Sequence, residues 1–149
     1  MSLQTPDLTK LPPRSPRVRL GGYALLPRML DKGRATIAGK NGEYHYNCPN
    51  DQHFLNFVGV DAEALKKELA KGKGDGEILE WIEANAKHKR NAAEISAWTA
   101  YIERRAPDNV EGRGYFNDIH QKGAPHREDI TTWCDLLDMD DFVSFGGKA

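Results

Sequence analysis

Apolar residues recur three and four positions apart along most of this 149-residue chain, and most of the runs are bracketed by residues that start or stop a helix. The stretch "VDAEALKKELAKG" lies between Asp61, whose carboxylate suits an N-cap, and Gly72, which suits the left-handed position after a helix. "DGEILEWIEANA" opens at Asp75 and turns Ile78, Leu79 and Ile82 inward. "NAAEISAWTAYIERR" begins with Asn91 and Glu94 in the spacing of a capping box, carries Ile95, Trp98 and Ile102 as its stripe, and is closed by Pro107. "YALLPRMLDKGRATIAG" puts Pro27 in a first turn and Leu26, Met29, Leu30, Gly33 and Ile37 on one face, with Gly39 at its end. A hairpin on the Asn41-Gly42 turn, pairing Ala35–Ala38 with Glu43–Tyr46, competes with that helix; the longer apolar spacing favours the helix and leaves Glu43–Asn47 as a short extended piece. A turn of helix around His53–Phe57, capped by Asn50 or Asp51, and a shorter helix through Tyr115, Phe116 and Ile119 follow the same logic. "PHREDITTWCDLLDMDDF" predicts a last helix with Pro125 at its first position and Ile130, Trp133, Cys134 and Leu137 as its stripe.

These runs predict a mostly α fold. It is an irregular orthogonal array of about six helices, with at most one small extended or hairpin segment. The length fits a single domain, residues 1–149, divided into an extended arm over 1–21 and a helical body over 22–149. Pro12, Pro13 and Pro16 keep the arm out of helix. The stripes bearing Trp81, Trp98 and Trp133 read as core, as does Cys134.

Charge limits the partners. The net charge of −1 argues against nucleic acid, and no run approaches the roughly 18 apolar residues of a membrane span. The first residues carry no apolar core of a signal peptide, so a cytoplasmic protein with two reduced thiols, Cys48 and Cys134, is expected. The charge is unevenly spread. Seven cations stand against one anion between Lys10 and Arg34, and six acids against one base between Glu128 and Ala149.

Two constellations carry chemistry. The first is the basic front, where Arg14, Arg17 and Arg19 approach the opening of a helix. Such an array suits a phosphate or carboxylate, with Arg28 as a further donor and Tyr23 as a wall. The competing use of these arginines is pairing with the acidic tail, within one chain or across a homodimer. The second is "GEYHYNCPNDQHF", which holds His45, Cys48 and His53 within nine positions. Zinc wants about four ligands, usually as two close pairs. His45 and Cys48 make one pair, His53 offers a third ligand, and His120 or His126 would have to come from far along the chain. Cys48, just before a helix start and near two histidines, also sits in a setting that permits thiol chemistry. No phosphate-binding loop or nucleophile elbow is present.

Three stretches, "DLTKLPPRSPRVRLGGYALLPRMLDKGRA", "GEYHYNCPNDQHFLNFVGVDAEAL" and "EILEWIEAN", resemble a bacterial family of unknown function, domain-of-unknown-function family 5069. The resemblance runs from about Asp7 to the last helix. It implies a small, mostly helical, soluble bacterial protein, and it implies no activity, cofactor or site residue. The leading expectation is therefore a non-catalytic protein that binds a small anionic ligand or a protein partner at the arginine arm, with no cofactor. A metal-binding or thiol-dependent enzyme centred on His45, Cys48 and His53 is the alternative, and a dimer joined by arm and tail is the third.

Overall fold

The structure is a computed structural model that describes residues 5–149; the first four residues of the predicted arm lie outside it. Among the described residues there are seven α-helices and a single isolated β-bridge, between Leu20 and Tyr23. The helices are α1 (Leu26–Ile37), α2 (Pro49–Val58), α3 (Ala62–Ala70), α4 (Asp75–Asn85), α5 (Ala92–Arg104), α6 (Val110–Gly123) and α7 (Trp133–Ser144). The fold is mostly α, as the apolar spacing predicts, and no helix among the described residues is long and apolar enough to cross a membrane.

Local chemistry sets most of the boundaries. Asp61 accepts the Ala64 amide, and Asn91 and Glu94 form a complete capping box. Gly39 and Gly72, both with positive φ, follow the last turns of α1 and α3. Two boundaries differ from expectation. The last helix begins at Trp133 and not at Pro125, because Thr132 and Asp135 build a reciprocal capping box there while Arg127 is occupied with Asp129. Helix α2 is a full ten residues, and neither Asn50 nor Asp51 is its N-cap. Cys48 holds that position, and Asp51 reaches back to the Asn47 amide at 2.9 Å. Residues 43–47 are turns and loop, so the hairpin does not form.

Two apolar clusters make the core. The larger joins α1 to α4, with Leu26, Met29, Leu30, Phe54, Leu65, Ile78 and Ile82 all but fully buried. The smaller joins α6 and α7 through Phe116, Ile130, Leu136 and Met139. Helix α5 connects them: Ile102 packs on Ala24 and Leu25, and the Trp133 amide donates to the Arg105 carbonyl at 2.9 Å. Thr99, buried on α5, accepts the Ala24 amide and donates to the Gly22 carbonyl. This clamps the Gly21-Gly22 turn, whose positive φ values of 60° and 85° favour glycine. Tyr23 lies at the same place. It is 4% exposed and packs edge-on against Phe54 and Trp98, so it is a core residue and not the wall of an open anion site.

The close crossing of α1 and α3 depends on Gly33. A β-carbon there would stand 2.6 Å from a Leu69 methyl and 3.1 Å from the Tyr46 ring. Gly33→Val is expected to cost about 1–3 kcal/mol by overpacking, read as a lower urea midpoint with an unchanged m-value.

Candidate functional site

The basic arm is committed to carboxylates within its own chain. Arg14 bonds Asp31 at 3.0 Å and Asp75 at 2.7 Å, Arg17 bonds Asp135 and Asp138, and Arg19 grips both oxygens of Glu103. Arm and tail therefore meet inside one molecule, and the three arginines do not converge on an open anion site. Acid should weaken this tie. Burial would raise the Asp135 carboxyl, but the Thr131 and Thr132 amides and Arg17 hold it down to about 2. Its folded-state value is thus below its unfolded one of about 3.9. The stability it contributes is present above that unfolded value and is lost as pH falls toward 2. Asp75 shifts in the same direction, with burial opposed by Arg14 and Arg34. Urea midpoints measured at pH 5, 3 and 2 are expected to fall most between pH 4 and 2, and Arg17→Ala should flatten part of that fall.

A cavity of about 800 Å³ lies at the seam between the two core clusters. Helix α1 supplies Arg28 and Lys32, one turn apart on the same face. The start of α2 supplies Cys48, Asp51 and His53, and the loop before it supplies Tyr44 and His45. Arg105 comes from the end of α5, Tyr115 and Ile119 from α6, and Trp133, Leu136, Leu137, Asp140 and Asp141 from α7. Exposed Tyr115 and Phe145 stand at its edge. An apolar wall with a few convergent polar groups, placed between packed helices, is the usual form of a small-molecule site.

Two buried ion pairs shape its floor. Arg28 donates twice to Asp141, at 2.7 and 3.2 Å, and the Tyr44 hydroxyl donates to the same carboxylate at 2.8 Å. Burial, and then the Asp141 hydrogen bond, push the Tyr44 hydroxyl well above its ordinary value, so it stays a donor. Lys32 lies 2.9 Å from Asp51, and its ammonium also donates to Cys48 Sγ at 3.1 Å. Side-chain exposures of 5% and 3% make Lys32–Asp51 the drier of the two pairs. Backbone geometry supports this floor. Asn47 takes a positive φ of 63°, which an asparagine tolerates, and turns the chain so that Cys48 begins α2. Leu25, also at positive φ, lines the cavity and precedes α1.

The remaining charges are less evenly matched. Arg105 is half-buried, and no ion pair among the described residues includes it. Burial, and then Arg105, lower His53 below its ordinary value, so that it is neutral at pH 7. Asp140 is raised by burial and by neighbouring Asp141.

Of the second constellation, His45, Cys48 and His53 line this one cavity. The two distant histidines do not join them. His120 sits 2.7 Å from the Arg127 carbonyl and edge-on to Phe116, and His126 is exposed elsewhere. Among the described residues no three His, Cys, Asp or Glu side chains are placed to hold a metal ion, so the zinc set of five residues does not assemble. Lys32, Asp51, Tyr44, Arg105 and Asp141 are the site residues that the sequence did not point to as such. The one signal was the four-residue step from Arg28 to Lys32, which places two cations one turn apart on a helix that is largely buried.

A profile described as a domain of unknown function, DUF5069, matches residues 10–143. The chain belongs to this family. In this DUF5069 chain the matched region contains every helix nearly to the end of α7, and with them most of the residues that line the cavity. No curated protein matches the DUF5069 chain significantly.

Proposed function

We propose that this protein binds a small organic monocarboxylate in the seam cavity, with Arg105 as the receiving cation and the apolar residues of α6 and α7 around the ligand body. The observation that carries the reading is the guanidinium of Arg105, in no ion pair among the described residues, in one cavity of about 800 Å³ with a neutral His53. On this reading anion binding lies away from Arg14, Arg17 and Arg19, whose guanidinium groups already bond carboxylates. Arg28 and Lys32 are matched by Asp141 and Asp51, which leaves Arg105 against Asp140 and Glu43. Among the described residues of the cavity, Arg105 is then the one cation left to receive an anion while two carboxylates oppose further negative charge, so dianions and phosphates should bind worse than monocarboxylates.

The pH dependence has a definite sign. An anion beside Arg105 offsets the repulsion that adds to burial in lowering His53, so binding draws a proton onto His53. Asp140, where protonated, no longer repels the ligand. Affinity is therefore expected to rise as pH falls from 8 to 6, by about a factor of a few.

Thermal-shift and calorimetric titration with butyrate, succinate and inorganic phosphate tests the reading. Butyrate should raise Tm and give the tightest binding, Arg105→Gln should remove the response, and Arg17→Ala should keep it. A response lost in Arg17→Ala and kept in Arg105→Gln would return the site to the arm.

A further inference from the structure

We infer that Cys48 is a nucleophilic thiol, and that the cavity brings to it a small monocarboxylate carrying an electrophilic carbonyl carbon. The ligand half of this rests on the carboxylate reading above; the thiol half has its own geometric ground. Cys48 is the N-cap of α2, yet its side chain makes no capping hydrogen bond, so its sulfur is not spent on the helix. It lies at the positive end of a ten-residue helix and receives a hydrogen bond from the Lys32 ammonium at 3.1 Å. Both features set positive potential against the sulfur. Asp51, 2.9 Å away, holds the ammonium in place.

A purely structural bridge between α1 and α2 has no need of this arrangement. Burying an ammonium and a carboxylate carries a desolvation cost that an apolar pair would avoid. What the charged pair adds is a cation against a half-buried sulfur that opens on a cavity. Cys134 is the internal contrast. It is buried, its thiol faces the Ile102 carbonyl at 3.9 Å, and burial pushes it up to about 11.

The step is an addition and needs no oxidant and no leaving group. The sulfur pair forms a C–S bond to the carbonyl carbon, and the carbonyl π pair moves onto oxygen. That oxygen takes up, through water, the proton that sulfur released. The product is a hemithioacetal, and the reverse path frees the ligand.

The experiment compares two near-isosteric alkylating probes on the native full chain, read by intact mass and peptide mapping. Sulfur displaces iodide from iodoacetate, an anion, or from iodoacetamide, which is neutral. A free thiolate reacts more slowly with iodoacetate because like charges repel. At Cys48 the order is expected to reverse, with iodoacetate ahead by about a factor of a few, because Arg105 in the same cavity attracts its carboxylate. Cys48 should also react about tenfold or more faster than Cys134. Glyoxylate should protect it, and Arg105→Gln should restore the free-thiol order.

The inference is overturned if Cys48 reacts no faster than N-acetylcysteine with either probe. If butyrate still stabilises wild type and Cys48→Ser equally in that case, the carboxylate reading stands while the thiol falls. Fast labelling with the free-thiol order, no protection by glyoxylate and no response to butyrate would instead sink the ligand half with the carboxylate reading.

Discussion

Asp141→Ala is expected to lower stability by about 3–5 kcal/mol, because it leaves the Arg28 guanidinium buried and without its partner. Arg28 and Asp141 are 5% and 7% exposed, and the carboxylate takes three hydrogen bonds, two from Arg28 and one from Tyr44. The cost is large against a total stability of about 5–15 kcal/mol, and it should appear as a Tm lowered by about 10 °C. The reciprocal test separates charge burial from lost packing. Arg28→Met with Asp141→Leu removes both charges, and it should recover most of the loss, since an apolar pair of similar volume avoids the desolvation cost. A single Asp141→Ala variant as stable as wild type would mean that Arg28 finds solvent easily and that the seam is looser than described.

Asp51→Ala is expected to cost a similar amount, about 3–5 kcal/mol, and to act on the cavity as well. Asp51 is 2% exposed and Lys32 4%. The carboxylate holds the Lys32 ammonium through one oxygen and the Asn47 amide through the other. Its loss strands a buried lysine and also frees the turn that sets the start of α2. Without the carboxylate the ammonium is no longer held against Cys48. Urea denaturation should therefore show a lower midpoint, and Cys48 alkylation in the folded fraction should slow. Asp51→Asn keeps the bond to the Asn47 amide and lets the two effects be told apart. It should restore the helix start, seen by circular dichroism, without restoring the alkylation rate.

The helices were legible wherever a local device sets the boundary. Asp61, Asn91 with Glu94, and the glycines after α1 and α3 act through bonds to residues three or four positions away, and such bonds are written in the sequence. The start of α7 was misplaced because two local signals compete there. Pro125 offers a first position, but Thr132 with Asp135 satisfies two amides reciprocally and wins. The cavity is a different case. "GEYHYNCPNDQHF" carries residue types that permit chemistry, and the chain does set His45, Cys48 and His53 on one wall. The groups that give that wall its character come from elsewhere: Lys32 from α1, Arg105 from the end of α5 and Asp141 from α7. Nothing local marks Arg105, a residue at the end of one helix facing the start of another. The arginines of the arm were conspicuous by number, and number is a poor guide when the acids that neutralise them lie up to 121 positions away.

The central claim is that the seam cavity is the binding site, and one NMR measurement tests it directly. Titrating butyrate into the uniformly ¹⁵N-labelled chain at pH 6.5 should shift the amides of Cys48, Asn50, Asp51 and His53 and the Nε resonance of Arg105, saturably and with one affinity. Shifts confined to Arg14, Arg17 and Arg19, or none up to millimolar ligand, would contradict it.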